Sequence, residues 1–237
     1  MAKLNLPNGL FVTDGGDIYF TDTLNHKIRL VTASTGKIST IAGNGVRATT
    51  ESLSKDGGLP TSASLNTPKG LTVAEDGTII FTDSGSNYIR YVSSDGKTIN
   101  ILSGKFSTIG MHIAQDQSEL SDAKFDDPAG LFLSGNELLI ADAKNGLIRS
   151  IKATCPTGYG GFTCKPICYD IMATNTSVCS RNGKCIDYNT CKCDSNHFGA
   201  YCENTYCSGV ASNSSNVCSR HGRCVEYNTC VCAPGSS

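Results

Sequence analysis

Three copies of one sequence pattern, spaced about 60 residues apart, constrain the fold of the first two thirds of this chain. Each copy has a proline, a glycine and a leucine near its start, and an aspartate and an arginine further on. The matching positions are Pro7, Gly9, Leu10, Asp22 and Arg29, then Pro68, Gly70, Leu71, Asp83 and Arg90, then Pro128, Gly130, Leu131, Asp142 and Arg149. Self-similarity at a fixed period indicates a repeat architecture, in which one unit buries its apolar surface only against its neighbours.

Each copy predicts short β-strands separated by turns. In the first copy we expect strands over 9–13, 17–21, 27–31 and 37–42, because apolar runs there are separated by Asp-Gly-Gly and Leu-Asn-His turns. Four antiparallel strands make one propeller blade. The sequence therefore predicts an all-β chain with about three blades over residues 1–152, the third blade lacking an evident fourth strand.

The motif that ends the second strand is specific. Residues 21–29 read Thr-Asp-Thr-Leu-Asn-His-Lys-Ile-Arg, and related stretches occupy 82–90 and 141–149. Together with the Pro-x-Gly start, this motif resembles the NHL repeat over roughly residues 4–152. The resemblance implies a partial NHL-type β-propeller. Closed propellers have about four to eight blades, so we expect further blades before residue 1 and exposed apolar edges on an open stack.

The aspartates and arginines of the repeats admit a catalytic or a structural interpretation. A residue at the same place in every blade favours a structural role, in which the aspartate accepts turn N–H groups and the arginine pairs with a carboxylate or with carbonyls. The residues concerned are Asp22, Asp83, Asp142, Arg29, Arg90 and Arg149.

All 13 cysteines lie between Cys155 and Cys232. So dense a cluster predicts a disulfide scaffold and hence an oxidising compartment. A zinc-binding tail is the alternative. Two cysteine series, one from Cys168 and one from Cys207, share their later intervals of five, five and one residues, and both contain a Tyr-Asn-Thr-Cys stretch.

This spacing resembles the EGF-like module. The resemblance implies a partial closing loop over 153–167, one module over 168–202 and a truncated module over 203–237. It also implies the pairs Cys155–Cys164, Cys168–Cys185, Cys179–Cys191, Cys193–Cys202, Cys207–Cys224 and Cys218–Cys230, with Cys232 unpaired; spacing alone leaves other pairings open. The residues before Cys168 depart from the family's calcium-binding pattern, those before Cys207 match it weakly at best, and the loop 186–190 is shorter than in the calcium-binding form, so we expect no tight calcium site.

Two sequons, at Asn175 and Asn213, are candidates for glycosylation in an exported chain. No secretory signal is evident before residue 7, and no segment is long and apolar enough to span a membrane. We therefore expect that the natural chain is longer, and that any membrane contact runs through a segment missing from this sequence.

Composition and motifs argue against several functions. A net charge of −1 gives no reason to expect a nucleic-acid partner. His26, His112, His197 and His221 are scattered without metal-ligand spacing, and neither a nucleophile elbow nor a phosphate-binding loop occurs. We expect no catalytic residue, no metal and no cofactor.

The sequence favours an extracellular or cell-surface binding or adhesion protein with a protein or glycan ligand. The insertions 45–64 and 104–124 are the expected contact loops, and the EGF-like row is a spacer or second contact. The combination of the two modules resembles that of teneurin-like receptors and protist surface proteins, although in teneurin-like receptors the EGF-like modules precede the propeller. One alternative is a propeller hydrolase or lyase whose catalytic residues lie in missing blades. Another is a purely structural matrix component.

Overall fold

The computed structural model describes residues 3–51, 56–106, 123–169, 171–173 and 175–232. It divides into a first unit, Met1–Thr154 with Gly161–Thr163, and a second unit, Cys155–Gly160 with Cys164–Ser237. The described residues form strands, short 3₁₀ turns and loops without an α-helix, and the all-β prediction is confirmed. Within these residues no helix is long and apolar enough to cross a membrane.

The first unit contains three antiparallel sheets, one for each repeat. Blades 1 and 2 are four-stranded meanders in which each strand pairs with the next, whereas blade 3 has three strands. Blade 1 comprises β1 (Pro7–Val12), β2 (Ile18–Asp22), β3 (Lys27–Val31) and β4 (Ile38–Ala42), blade 2 comprises β5 (Pro68–Val73), β6 (Ile79–Asp83), β7 (Tyr88–Val92) and β8 (Ile99–Gly104), and blade 3 comprises β9 (Pro128–Ser134), β10 (Glu137–Asp142) and β11 (Leu147–Lys152).

The turn between the second and third strands has the same backbone in each blade. His26 and Asn87 have φ values of 53° and 60°, and Gly146, at the matching position of blade 3, has φ 67°. This left-handed conformation is rare for residues with a side chain, although asparagine and histidine are enriched in it and glycine adopts it freely. The Asn-His, Ser-Asn and Asn-Gly pairs of the motif therefore reverse the chain here.

Blades stack with their first strands in close contact, which explains the repeated glycine. A Cβ atom on Gly9 would lie 2.3 Å from the Lys69 carbonyl oxygen of blade 2, and one on Gly70 would lie 2.1 Å from the Ala129 oxygen of blade 3. Gly130 has no following blade in the described structure, and a Cβ there would meet only the Ala141 methyl, at 3.7 Å. The glycine thus permits backbone approach between blades.

Apolar clusters lie at the two junctions between blades. The first includes Ile28 of blade 1 with Leu71 and Phe81 of blade 2, and the second includes Ile89 of blade 2 with Leu138 of blade 3. These side chains alternate along their strands, so one face of each sheet packs on the preceding blade and the other on the following blade. The core of the first unit is therefore built between repeats rather than inside them.

The two outer faces of the stack expose side chains whose equivalents are buried inside it. Ile28 and Ile89 are 0% exposed, whereas Ile148, at the same position of blade 3, is 74% exposed. Likewise Leu71 is 5% exposed and its blade 1 equivalent, Leu10, is 64% exposed. Within the described residues the blades therefore form an open stack, and these two side chains are exposed because no described blade packs against the outer faces.

The second unit is built from two- and three-stranded sheets joined by disulfides. The three-stranded sheets are β12 (Tyr159–Gly160), β13 (Lys165–Cys168) and β14 (Ile171–Met172), and β17 (His197–Phe198), β18 (Asn204–Cys207) and β19 (Val210–Ala211); the hairpins are β15 (Gly183–Asp187) with β16 (Thr190–Cys193), and β20 (Gly222–Glu226) with β21 (Thr229–Cys232). Each three-stranded sheet joins the end of one cysteine module to the start of the next, so successive modules share a sheet.

Candidate functional site

The repeat aspartates are buried at the ends of β2, β6 and β10. In each blade, one Oδ1 atom accepts a backbone N–H from the segment that enters the blade: Asn5 to Asp22 at 2.8 Å, Asn66 to Asp83 at 2.6 Å and Asp126 to Asp142 at 2.8 Å. In blades 1 and 3 the amides of Asn25 and Asn145 also donate to the carboxylate at 2.9 Å. The aspartate therefore fastens the start of the blade to its second strand.

Each repeat arginine lies beside the aspartate of its own blade. The nitrogen–oxygen distances are 3.9 Å for Arg29–Asp22, 3.6 Å for Arg90–Asp83 and 3.3 Å for Arg149–Asp142. In blade 3 the arginine also donates to the Lys124 carbonyl at 2.8 Å and stacks over the Phe125 ring. All these partners belong to the same blade, as a structural role requires.

Blade 2 buries its ion pair completely. Both side chains of Asp83 and Arg90 are 0% exposed. Burial raises the pKa of Asp83 from 3.8 to about 6, because the desolvation of the carboxylate outweighs the attraction of Arg90 and the Asn66 N–H bond. The same desolvation lowers the pKa of Arg90. Burial of this ion pair therefore costs desolvation free energy in the core of blade 2.

Hydroxyl groups on either side of the repeat aspartate join neighbouring blades. Thr21 accepts the Gly9 N–H at 2.9 Å and donates to the Lys69 carbonyl of blade 2 at 2.8 Å, and Thr82 accepts from Gly70 and donates to Ala129 in the same way. Sequence analysis missed this role. The sequence pattern that could have indicated this role is a threonine at that position in the first two repeats and an alanine, Ala141, in the third.

A second pair of hydroxyls repeats the pattern two residues later. Thr23 donates to the Pro68 carbonyl at 2.7 Å and Ser84 donates to the Pro128 carbonyl at 2.5 Å. Blade 3 has Ala143 at this position. Blade 3 therefore lacks both of the hydroxyl groups with which blades 1 and 2 hold the blade that follows them.

The insertion 45–64 is a candidate contact loop, and the structure describes it except for residues 52–55. Backbone bonds anchor it: Asn44 donates to Ala63 at 2.9 Å, Ala48 to Leu65 at 3.0 Å and Gly57 to Ile99 at 2.7 Å. Tyr88 donates to Glu51 at 3.3 Å, and burial beside that carboxylate raises the pKa of Tyr88 to about 12.

Two large apolar side chains of this loop, Val46 and Leu59, remain exposed. Beside Leu59, Gly58 accepts the N–H of Ile99 in β8 and Pro60 accepts the N–H of Gly43, which directly follows β4, both at 3.0 Å. Near Val46, the Asn44 N–H bond to Ala63 joins the two ends of the loop. The loop thus presents apolar side chains from a fixed backbone. The other expected contact loop, 104–124, lies largely outside the described residues, as does His112.

In the second unit the cysteines form six disulfides, which are the pairs that the EGF-like resemblance implies. They are Cys155–Cys164, Cys168–Cys185, Cys179–Cys191, Cys193–Cys202, Cys207–Cys224 and Cys218–Cys230. Zinc binds thiolates, and a sulfur in a disulfide is not one. Cys232 ends β21, and its side chain lies outside the described part of the chain.

Both sequon asparagines are exposed. Asn175 Oδ1 accepts hydrogen bonds from the Ser177 N–H at 2.8 Å and from the Ser177 hydroxyl at 2.7 Å, so this sequon adopts an Asx turn. Asn213 lies in the matching loop of the next module. Glycosylation at these two residues remains a prediction.

Comparisons with known proteins agree with this organisation. The family model "EGF-like domain" matches residues 173–202. Protein SUPPRESSOR OF QUENCHING 1, chloroplastic, of Arabidopsis thaliana is 34% identical over 100 residues, which are 42% of this chain and 9% of that protein. NHL repeat-containing protein 2 of Bos taurus is 28% identical over 86 residues, 36% of this chain and 11% of that protein. The chain thus spans about a tenth of these relatives.

Solved structures with a similar arrangement include an auxiliary nutrient binding protein of Bacteroides thetaiotaomicron, with TM-score 0.46, 18% identity and coverage of 60% of this chain and 36% of that one. Virginiamycin B lyase of Staphylococcus aureus aligns with TM-score 0.36, 18% identity and coverage of 62% and 41%. The repeat geometry, the disulfide pattern, the EGF-like match and the NHL-named relative together identify a chain that joins NHL-type repeats to EGF-like modules.

Proposed function

We propose that this chain is part of an extracellular or cell-surface binding protein that uses the loop 45–64 to contact a protein or glycan ligand. The observation that carries the proposal is the exposure of Val46 and Leu59 on a loop whose backbone is bonded to β8 and to Gly43, the residue after β4. Exposed apolar side chains on a fixed backbone lose little entropy when they are covered, which suits them to a contact surface.

The second unit supports an extracellular location and a spacer role. Six disulfides and an EGF-like match are typical of secreted or extracellular proteins. The shared sheets β12–β13–β14 and β17–β18–β19 couple each module to its neighbour. A row of modules coupled in this way is suited to a spacer role.

We propose a structural role rather than a catalytic one for the repeat residues. The buried Asp22, Asp83 and Asp142 bind backbone N–H groups and an arginine of their own blade. Groups occupied in this way serve the blade and offer no free nucleophile or base to a substrate.

The test compares two variants of the whole chain, secreted through an oxidising route and labelled with a fluorophore. The probes are a printed glycan array and immobilised extracellular-matrix proteins. We expect saturable binding to one of these probe classes, and an affinity reduced by at least roughly tenfold in the Val46→Asp/Leu59→Asp double variant. Ile148→Asp, an exposed apolar position outside the loop, is the matched control and should bind as wild type does.

Two results would overturn the proposal. One is the lack of saturable binding to every probe by correctly disulfide-bonded wild-type protein. The other is a loop variant that binds as tightly as wild type, because the contact would then lie elsewhere.

A further inference from the structure

The second unit has two equivalent junctions at which one cysteine loop meets the next hairpin, and they are filled differently. At the first junction the Tyr159 hydroxyl donates a hydrogen bond to Asp187, and Gly158 packs against the Tyr188 ring. The strand pairing aligns Tyr159, opposite Pro166, with His197, opposite Thr205, at the second junction. Asp187 and Glu226 likewise occupy the same position after the third cysteine of their modules.

At the second junction this replacement leaves an open cleft. His197 is shorter than a tyrosine, and a cleft of about 360 Å³ lies between it and Glu226. That volume falls within the range of roughly 300–1,000 Å³ typical of ligand sites. The lining residues are Asn182, His197, Glu203, Thr205, Val225, Glu226 and Tyr227.

The carboxylate on the far side of the cleft is free to bind a ligand. The Glu226 side chain is exposed to solvent and has no hydrogen-bond or ion-pair partner within the described residues. At the first junction the equivalent groups, Tyr159 and Asp187, satisfy each other.

The charges of the lining point to a cation. Two carboxylates, Glu203 and Glu226, face the cleft, and no lysine or arginine lines it. The Glu203 carboxylate already accepts the Tyr201 N–H at 2.9 Å and the Asn204 amide at 3.1 Å, so Glu226 is the group with free capacity. The Tyr227 ring adds a surface on which a cation can lie.

The geometry favours an organic cation over a metal ion. His197, Glu203 and Glu226 do not bring three ligand atoms within 4.8 Å of one another. An ammonium group has three N–H donors and a guanidinium group has five, and an alkyl stem fits along Val225 and Tyr227.

We propose that the cleft between His197 and Glu226 binds a lysine or arginine side chain of a protein partner. The basic group takes the place that the Tyr159 hydroxyl has at the first junction: it donates to Glu226 while its stem covers Val225. This site lies in the second unit and uses none of the residues of the loop 45–64.

The test uses the whole chain, 25.0 kDa, labelled with ¹⁵N and followed by two-dimensional NMR. The probes are the N-acetyl N-methylamides of lysine and arginine, with the neutral norleucine analogue as control. We expect saturable shifts of the Thr205, Glu226 and Tyr227 amides with dissociation constants on the order of 1 mM. Glu226→Gln should bind roughly tenfold more weakly, since a charge-assisted bond is lost.

His197→Tyr is the decisive variant, because it copies the first junction and fills the cleft. It should lose the shifts while it keeps the disulfide pattern by non-reducing peptide mapping. Asp187→Asn, the matched change at the filled junction, should bind the probes as wild type does.

The proposal is overturned if the norleucine analogue produces equal shifts, or if His197→Tyr still binds the basic probes. Shifts caused by Ca²⁺ or Zn²⁺ at micromolar concentration, with none from the basic probes, would also overturn it and indicate a metal site. The two proposals fail separately. Basic probes that bind the cleft while the loop variants leave ligand binding unchanged would overturn only the loop surface, and the opposite pair of results would overturn only the cleft.

Discussion

The two units contain similar short strands, but different kinds of buried side chain hold those strands together. In the first unit the buried clusters are aliphatic and aromatic, with Ile28, Phe81 and Leu138 among their members. In the second unit four of the five buried members of the cluster are disulfide cysteines, with Val178 as the fifth. Stacked repeats obtain apolar area from each other, whereas a small module cannot and needs covalent links. The position of Cys155 marks this change in how strands are held together.

Reduction tests the comparison most strongly. We expect dithiothreitol to unfold the second unit while the first unit keeps its structure, because each native disulfide contributes about 2–5 kcal/mol and all six are in the second unit. Limited proteolysis with mass spectrometry should then show cuts after residue 164 and protection of the blades. Equal cleavage of both units at the same reductant concentration would contradict the comparison.

Truncation of a core side chain in the first unit should have the opposite effect to reduction: it should destabilise the first unit and leave the second unit unchanged. Phe81 is 0% exposed at the junction of blades 1 and 2, so Phe81→Ala should lower the free energy of unfolding of the first unit by about 3–5 kcal/mol. Phe132, which is 64% exposed, provides the control, and Phe132→Ala should change stability by less than about 1 kcal/mol. Urea titration measures both values. A loss shared by the second unit would mean that the units do not unfold independently.

The pH dependence of stability should also differ between the two units. In the first unit the Asp83 carboxylate is completely buried, whereas the described carboxylates of the second unit are exposed. The folded state raises the pKa of Asp83 from 3.8 to about 6, so it binds this proton more tightly than the unfolded state does. Its contribution to stability is therefore full below about pH 4 and is lost as the pH rises through about 6, a change of about 3 kcal/mol.

The measurement is the unfolding free energy of wild type minus that of Asp83→Asn between pH 4 and pH 7. The difference should fall as the pH rises. A difference that is flat, or that grows with pH, would show that the attraction of Arg90 outweighs the burial of Asp83.

The repeat pattern was enough to predict the strands and the blades. The expected strand 27–31 is β3, and the others, such as 17–21 against Ile18–Asp22, agree within a few residues. The missing fourth strand of blade 3 was also predicted. The pairing of cysteines followed from a family resemblance, since spacing alone leaves other connectivities open.

The contacts between elements could not be predicted in this way. The bonds of Thr21 to Lys69 and of Thr82 to Ala129 depend on how blades stack, which no local pattern contains. The cleft beside His197 likewise depends on the pairing of two modules, and it is visible only when His197 is compared with Tyr159. Complete burial of Arg90, against partial burial of Arg29 and Arg149, follows from the central place of blade 2.

The smallest expected effect concerns the hydrogen bonds that join neighbouring blades of the first unit. The second unit joins its strands by disulfides instead. Thr21→Val leaves the Gly9 N–H and the Lys69 carbonyl without their partner, at a cost of about 1–3 kcal/mol, whereas Thr21→Ser keeps the hydroxyl and should cost less. Because blade 1 has a blade on one side only, hydrogen exchange should accelerate in β1 and β2 before it does in β6 and β7. Uniform acceleration across both blades would mean that the stack opens as a whole.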